Sequence, residues 1–390
     1  MKNLTTYLKA FIATALLLLV SSNIQAQGVS SEIIATLTDV QKYYRAIHIM
    51  AMLLLGFGFL MVFVRKYGRS ALTATFLLVS ISIPLYYVIG DLGIFGHKGS
   101  QIDVLILAEF AAASLLITAG AILGRLKMQQ YLILGLLFIP FYMFNEWIML
   151  DEGFGLIGKG LFVDTGGSIV IHAFGAIFGL GVAISMTTKN EYDVEIEADA
   201  TSDRFSMLGS MILWVFWPSF CAALVLPEEV VLTGVNVILA LSGATLATGF
   251  ASLKLRGKID AADIANASLA GGVAIGSVCN TASPLEAILI GVAAGAISTF
   301  GFAVVQSRLQ KGLKIIDTCG VSNLHGIPGI FGGLIALIIV AGINFQAQFI
   351  GIGLTIVIAI VSGLISGKIL HLFGHRKTPY VDEEEFSVED

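Results

Sequence analysis

His172 and His325 are the residues of this chain best placed to do chemistry, because each stands in the same local frame inside an apolar run. The first frame is DTGGSIVIHAFGAIFG, from Asp164 to Gly179; the second is DTCGVSNLHGIPGIFGG, from Asp317 to Gly333. Asp-Thr, a glycine (Gly167, Gly320), the histidine five residues beyond it and a Phe-Gly pair (Phe178-Gly179, Phe331-Gly332) recur at identical spacing, which defines an internal repeat. A lone histidine in a membrane helix is usually a satisfied interhelical hydrogen bond, whereas a matched pair is a functional candidate. Burial disfavours charge, so both rings are expected neutral. A neutral pair shares one proton between ring nitrogens and still offers a donor and an acceptor to something passing. That suits a small polar solute that is uncharged or readily deprotonated. It does not suit a bare metal cation, which would want several oxygen ligands.

Asp164 and Asp317 open the two frames and read as N-caps that also favour the helix dipole. The glycines at 166, 167, 175, 179, 320, 326, 329, 332 and 333 read as packing surface that lets helices approach around the histidines. Pro328 suggests a kink in the second frame, with no matching break expected in the first.

The elements that carry these frames are membrane spans. Of 390 residues, 56% are hydrophobic and 13% charged, against about 25% charged in soluble domains. The net charge of −5 comes largely from two stretches, Glu191–Asp203 and Asp382–Asp390, and no basic patch for nucleic acid is present. Three cysteines (Cys221, Cys279, Cys319) lie in apolar segments without metal-like spacing and read as small packing residues. No nucleophile, metal cluster or phosphate loop marks an enzyme, and no cofactor is expected.

Lys2 and Lys9 precede the apolar run Ala10–Val20, and small or polar residues lead to Ala26-Gln27, the layout of a secretory signal over residues 1–26. An uncleaved first helix is the alternative. Eleven later segments are long enough to cross about 30 Å of hydrocarbon. They lie near 46–64, 71–93, 103–124, 131–150, 163–186, 205–226, 230–252, 262–279, 284–306, 319–342 and 346–373. The expected fold is an all-α polytopic membrane protein, with a transmembrane domain over 27–373 and a cytoplasmic tail over 374–390. Alternate connections carry Arg65, Lys66 and Arg69; Arg125 and Lys127; Lys189 and Arg204; Lys254, Arg256 and Lys258; and Arg308, Lys311 and Lys314. The opposite set carries only Lys42, Arg45, Lys98 and Lys159. Positive charge collects on the cytoplasmic side, so the N-terminus is expected outside and the C-terminus inside a bacterial-type plasma membrane. Spans one to five and six to ten are then inverted repeats. Eight residues of helix, about 12 Å, carry each histidine inward from opposite faces to the midplane.

The two frames resemble the paired signatures of the ammonium transporter–Rhesus glycoprotein superfamily, and specifically its Rhesus branch. LAEFAAAS around Phe110, FNEWIML around Glu146, SDRFSMLGSMILWVFWPSF ending at Phe220 and DIANASLAGGVAIG from Asp263 extend the likeness over roughly Ala108 to Gly333. The resemblance implies a homotrimer in the bilayer, each subunit with its own pore. It implies that His172 and His325 are the twin pore histidines and that Phe110 and Phe220 close the outer end. It further implies that Asp164 is a structural acid near the outer mouth and that Glu146, Asp203 and Asp263 are vestibule acids. Two departures stand out. Cys221 follows Phe220 where a small polar residue is expected, and Ser219 does not occupy the position of the ammonium-binding serine of the high-affinity branch.

The resemblance implies transport of ammonia or ammonium, with ammonium losing its proton outside and neutral ammonia passing the pore. A carbon dioxide channel on the same scaffold and an ion-coupled secondary transporter are the alternatives. The tail HRKTPYVDEEEFSVED reads most simply as a solvated end, with a cytoplasmic regulatory partner as the other reading.

Overall fold

In a computed structural model, residues 9, 12–14, 32–95, 99–192 and 194–387 are described. The signal junction Ala26-Gln27 and almost all of the expected signal segment lie outside them. The chain divides into two compact units, Met1–Tyr44 and Arg45–Asp390; the second contains both histidine frames. No strand occurs among the described residues.

Among the described residues, ten helices are long and apolar enough to cross a membrane. They are α1 (Glu32–Phe63), α2 (Gly68–Asp91), α3 (Gln101–Ile122), α4 (Met128–Leu150), α5 (Ser168–Met186), α7 (Pro227–Arg256), α8 (Ala261–Val278), α9 (Pro284–Leu313), α10 (Ser322–Ile339) and α11 (Phe345–His371). Between α5 and α7 lies α6 (Ala200–Cys221), where the sixth of the eleven expected spans falls. It has the length, but its first turns are polar, with Ser202, Asp203 and Arg204. The α1 helix begins at Glu32 and not near 46, because its opening turns are too polar for hydropathy to register.

Small residues and hydroxyls set the packing around the histidines. Gly209 of α6 lies against the α1 backbone, where a Cβ would come within 2.2 Å of the Leu60 nitrogen. The Ser206 hydroxyl, one turn earlier, donates to the Leu60 carbonyl at 3.0 Å. Near the same end of the bundle Arg125 is fully buried after α3. Its guanidinium donates to the Ile316 carbonyl at 2.7 Å and to Thr187 Oγ1 at 2.5 Å, tying together the connections after α3, after α5 and before α10. The backbone N–H groups of Thr318 and Cys319 donate to the carbonyls of Ala121 and Gly120, so the second frame starts against the end of α3.

The tail departs from the expected solvated end. Arg376 is buried, pairs with Glu385 at 2.7 Å and lies 5.0 Å from the centre of the Tyr67 ring. The Tyr380 N–H donates to the Gly124 carbonyl at 3.0 Å. Helix α2 has no capping side chain of its own. Asp382 supplies one from the far end of the sequence, accepting from the N–H groups of Arg69 and Ser70 at 3.0 Å each. A charge pattern that reads as solvated in isolation is here the complement of one helix terminus and one buried arginine.

Replacing Asp382 with Ala is expected to cost about 1 kcal/mol, the usual worth of an N-cap. Asp382→Asn should keep most of it. Thermal unfolding of the detergent-solubilised protein measures the difference, and equal midpoints for both variants would remove the capping role.

Candidate functional site

The repeat is one local construction built twice. In the first frame the Asp164 carboxylate accepts from the N–H groups of Ile169 (3.0 Å) and Val170 (2.8 Å) and from the Ser277 hydroxyl at 2.6 Å. In the second, Asp317 accepts from the N–H groups of Val321 and Ser322 at 2.9 Å each and from the Ser322 hydroxyl at 2.7 Å. Each aspartate therefore caps its helix, as expected, but from several residues upstream across a turn. Helix α5 begins at Ser168, so the first four residues of that frame contribute no helical rise.

The turn requires a glycine. Gly167 (φ 75°) and Gly320 (φ 65°) adopt the left-handed conformation, which a Cβ opposes. These two glycines are turn formers first, and Gly320 is also packed, since a Cβ there would fall 2.2 Å from the Phe302 ring. Gly329 does pack closely, where a Cβ would fall 2.4 Å from the Ser168 carbonyl oxygen.

Both histidines then sit in π-helical turns, Ser168–Ala173 and Ser322–Gly326. This corrects the expectation of an unbroken fifth span: the irregularity is paired. A π turn shifts the backbone pattern and leaves carbonyls to satisfy elsewhere. Hydroxyls of α3 add bonds to α5 here, with Ser114 donating to the Ile171 carbonyl and Thr118 to that of Gly175, both at 2.7 Å.

The result brings the two rings together. His172 Nδ1 and His325 Nδ1 are 3.2 Å apart, with ring planes within 9° and centroids 5.3 Å apart. The residues are 2% and 3% exposed. Trp217 lies over His172 at 5.5 Å and Phe57 over His325 at 6.3 Å. The Phe110 and Phe220 rings meet at 4.6 Å and are tilted by 50°, with Phe220 also 6.0 Å from His172. These four residues form one continuous row. Beyond His325 is a cavity of about 20 Å³ lined by Phe57, Leu116, Ile117, Asn266, Leu324 and His325 among others. That is room for about one water-sized molecule.

Facing Nδ1 atoms at this distance fix the proton arithmetic. Only one proton fits between them, so one Nδ1 donates and the other accepts. The donor ring is then left with an accepting Nε2, and the acceptor ring carries its proton on Nε2. One N–H donor and one bare nitrogen thus point away from the shared contact. His172 Nε2 has no protein partner.

The acids are dispersed. Glu146 is buried and accepts from the hydroxyls of Tyr86 at 2.7 Å and Tyr142 at 3.3 Å, which places it among helices and not on an open surface. Asp263 is buried in a two-pronged ion pair with Arg256 at 2.7 and 2.9 Å. Asp203 is half-buried in the first turn of α6, within electrostatic reach of Asp260 and Asp199. Asp199 caps α6, and the backbone N–H of Ser202 holds its carboxylate below the usual range.

Sequence reasoning passed over Glu109. It lies next to Phe110, is 0% exposed, and neither carboxylate oxygen has a partner. The signal was available, since an acid in the middle of an apolar span is a functional candidate in itself. Asn266, a polar side chain in the eighth expected span, also lines the cavity at His325.

Comparison with known proteins bears on the same region. The profile of the Ammonium Transporter Family matches residues 5–388. Ammonium transporter Rh type A of Bos taurus is 37% identical over 372 residues, covering 90% of this chain and 84% of its own. Ammonium transporter Rh type C of Rattus norvegicus is 35% identical over 358 residues, covering 83% and 71%. The solved Rh50 channel of Nitrosomonas europaea superposes with a TM-score of 0.88 at 53% identity, over 90% of this chain and 93% of that one. The Sensor Amt Protein, at 19% identity and a TM-score of 0.73, shares the fold. The chain belongs to the ammonium transporter family. Within it, the relatives above 30% identity are of Rh type.

Asp164→Ala leaves two buried N–H groups and the Ser277 hydroxyl without an acceptor, at roughly 1–3 kcal/mol for each. The expected outcome is a strong fall in the yield of folded protein on size-exclusion chromatography, with Asp164→Asn intermediate. Equal yields for the two variants would show that the carboxylate is not what builds the turn.

Proposed function

We propose that this protein conducts ammonia across the membrane, taking ammonium from outside and releasing its proton before the narrow passage. One observation carries the reading: two buried imidazoles held Nδ1 to Nδ1 in a dry row, in a chain of the ammonium transporter family. A cation at this depth costs several kcal/mol unless ligands replace its water. The row offers rings, aliphatic groups and few oxygens, so ammonium must become ammonia to enter.

In this reading Phe110 and Phe220 form the outer constriction. The accepting Nε2 of one histidine takes an N–H of ammonia, and the N–H of the other donates to its lone pair. Ammonia thus trades water hydrogen bonds for protein ones without either ring taking up a proton. Asp203, with Asp260 and Asp199 nearby, is the better proton source on the far side, because Asp263 is committed to Arg256. Glu146 and Asp164 act through structure and field at the outer end. The Rh-type names of the relatives and the channel description of Rh50 support the substrate class.

The same reading takes α6 as an eleventh span, its 22 residues reaching about 33 Å at 1.5 Å per residue. It places the N-terminus outside after removal of residues 1–26, the C-terminus inside the plasma membrane, and three copies in the working assembly.

His172→Leu and His325→Leu each remove one side of the relay, and ammonia-driven alkalinisation of proteoliposomes is expected to be lost or strongly reduced in both. Unchanged rates in both variants would refute the proposal. Carbon dioxide gradients applied to the same vesicles separate the alternative substrate. Phe110→Ala and Phe220→Ala are expected to change the rate while the protein elutes at the wild-type volume.

A further inference from the structure

The rings of the outer aromatic pair stand on two helices that are held by different means. Phe110 is on α3, which Ser114 and Thr118 bond to the backbone of α5. Phe220 is in the last turn of α6, just beyond Pro218. A proline has no N–H, so the bond that the Trp214 carbonyl would receive from position 218 is missing and the helix is weakened there. The turn that carries Phe220 therefore depends on support from outside its own helix.

Helix α1 supplies it. The two helices run antiparallel: Leu60 meets Ser206, Gly56 meets Leu213, and His48 meets Ser219. At the middle contact a Cβ on Gly56 would come within 2.6 Å of the Leu213 side chain. At the outer contact His48 Nδ1 lies 2.8 Å from the Ser219 Oγ. The same imidazole stacks on Phe216, with centroids 4.9 Å apart and planes 24° apart. One side chain of α1 thus touches α6 on both sides of Pro218. A ring Nδ1–H donates to the hydroxyl oxygen, or the hydroxyl donates to a bare Nδ1, so both neutral tautomers can make the bond.

We propose that His48 is a positioning residue for the constriction: it bridges the proline in α6 and, through Ser219, holds the turn that sets the Phe220 ring against Phe110. The effect on passage rests on the reading of Phe110 and Phe220 as the constriction; the bridge between α1 and α6 does not. Without the bond the turn is free to shift, and the aromatic pair loses size discrimination before it loses conduction. Asparagine separates positioning from proton uptake. Its side-chain amide can stand where Nδ1 stands and keep the bond to Ser219, but it does not take up a proton.

Proteoliposomes carrying the full-length protein are given gradients of ammonia and of the larger amine methylamine, and internal alkalinisation is followed for each. His48→Ala and Ser219→Ala are expected to raise the methylamine-to-ammonia rate ratio several-fold, the double variant no further than either single one. His48→Asn should stay near the wild-type ratio. Ser219→Ala, which removes a single oxygen, serves alone if His48→Ala does not assemble. An unchanged ratio in the alanine variants overturns the positioning role, as does an asparagine variant that behaves like alanine. The alanine variants are also unfolded thermally in detergent. Midpoint losses that add in the double variant overturn the bridge, and a double variant no less stable than the weaker single one supports it. A bridge supported in this way, in a protein whose wild type conducts neither amine, stands while the transport reading falls.

Discussion

Everything in this structure depends on a contact that is hard to make: two imidazoles, from helices 153 residues apart in sequence, held nitrogen to nitrogen away from water. A single neutral pair has one shared proton and no room for a second. Charge on both rings would put two N–H groups face to face, and charge on either would cost the desolvation of an ion. Burial therefore favours the pair with both rings neutral, and the same condition makes the space beside them unsuited to ions. Positioning and selectivity come from one constraint.

Holding that contact demands backbone that an ordinary helix does not provide. The π turn is entered through a left-handed glycine and capped by an upstream aspartate, and it moves the histidine relative to a regular α-helix. Ser114 and Thr118 of α3 bond the carbonyls on either side of Ala173, so α3 is fixed to α5 next to His172. Phe110 stands on α3. Phe110 and His172 are thus registered to each other through the backbone, with no direct contact between them needed.

Much of this was legible in the sequence. Identical spacing of Asp, Gly, His and Phe-Gly in two apolar runs is enough to pair the frames. Most span boundaries follow hydropathy within a few residues, as at α3, α4 and α8. What hydropathy could not carry was hydrogen-bond topology. Gly167 and Gly320 have the same letter as Gly329, and only the dihedral angle separates a turn former from a packing contact. Asp382 and Arg376 were illegible for another reason, since their partners at Arg69, Ser70 and Tyr67 lie more than 300 residues away. Asp263 read as a free acid because nothing local marks Arg256, seven residues earlier on another helix, as its partner.

Glu109 and Asn145 remain the least satisfied polar groups in the membrane region, each fully buried with no side-chain partner. Their positions are not arbitrary: one precedes Phe110 on α3, the other precedes Glu146 on α4. A charged carboxylate without a partner is costly at that depth. An arginine opposite, as Arg256 is opposite Asp263, would put a countercharge next to the row of rings. Arg256 and Asp263 instead pair at the ends of two helices, and the acid beside Phe110 has no hydrogen-bond partner.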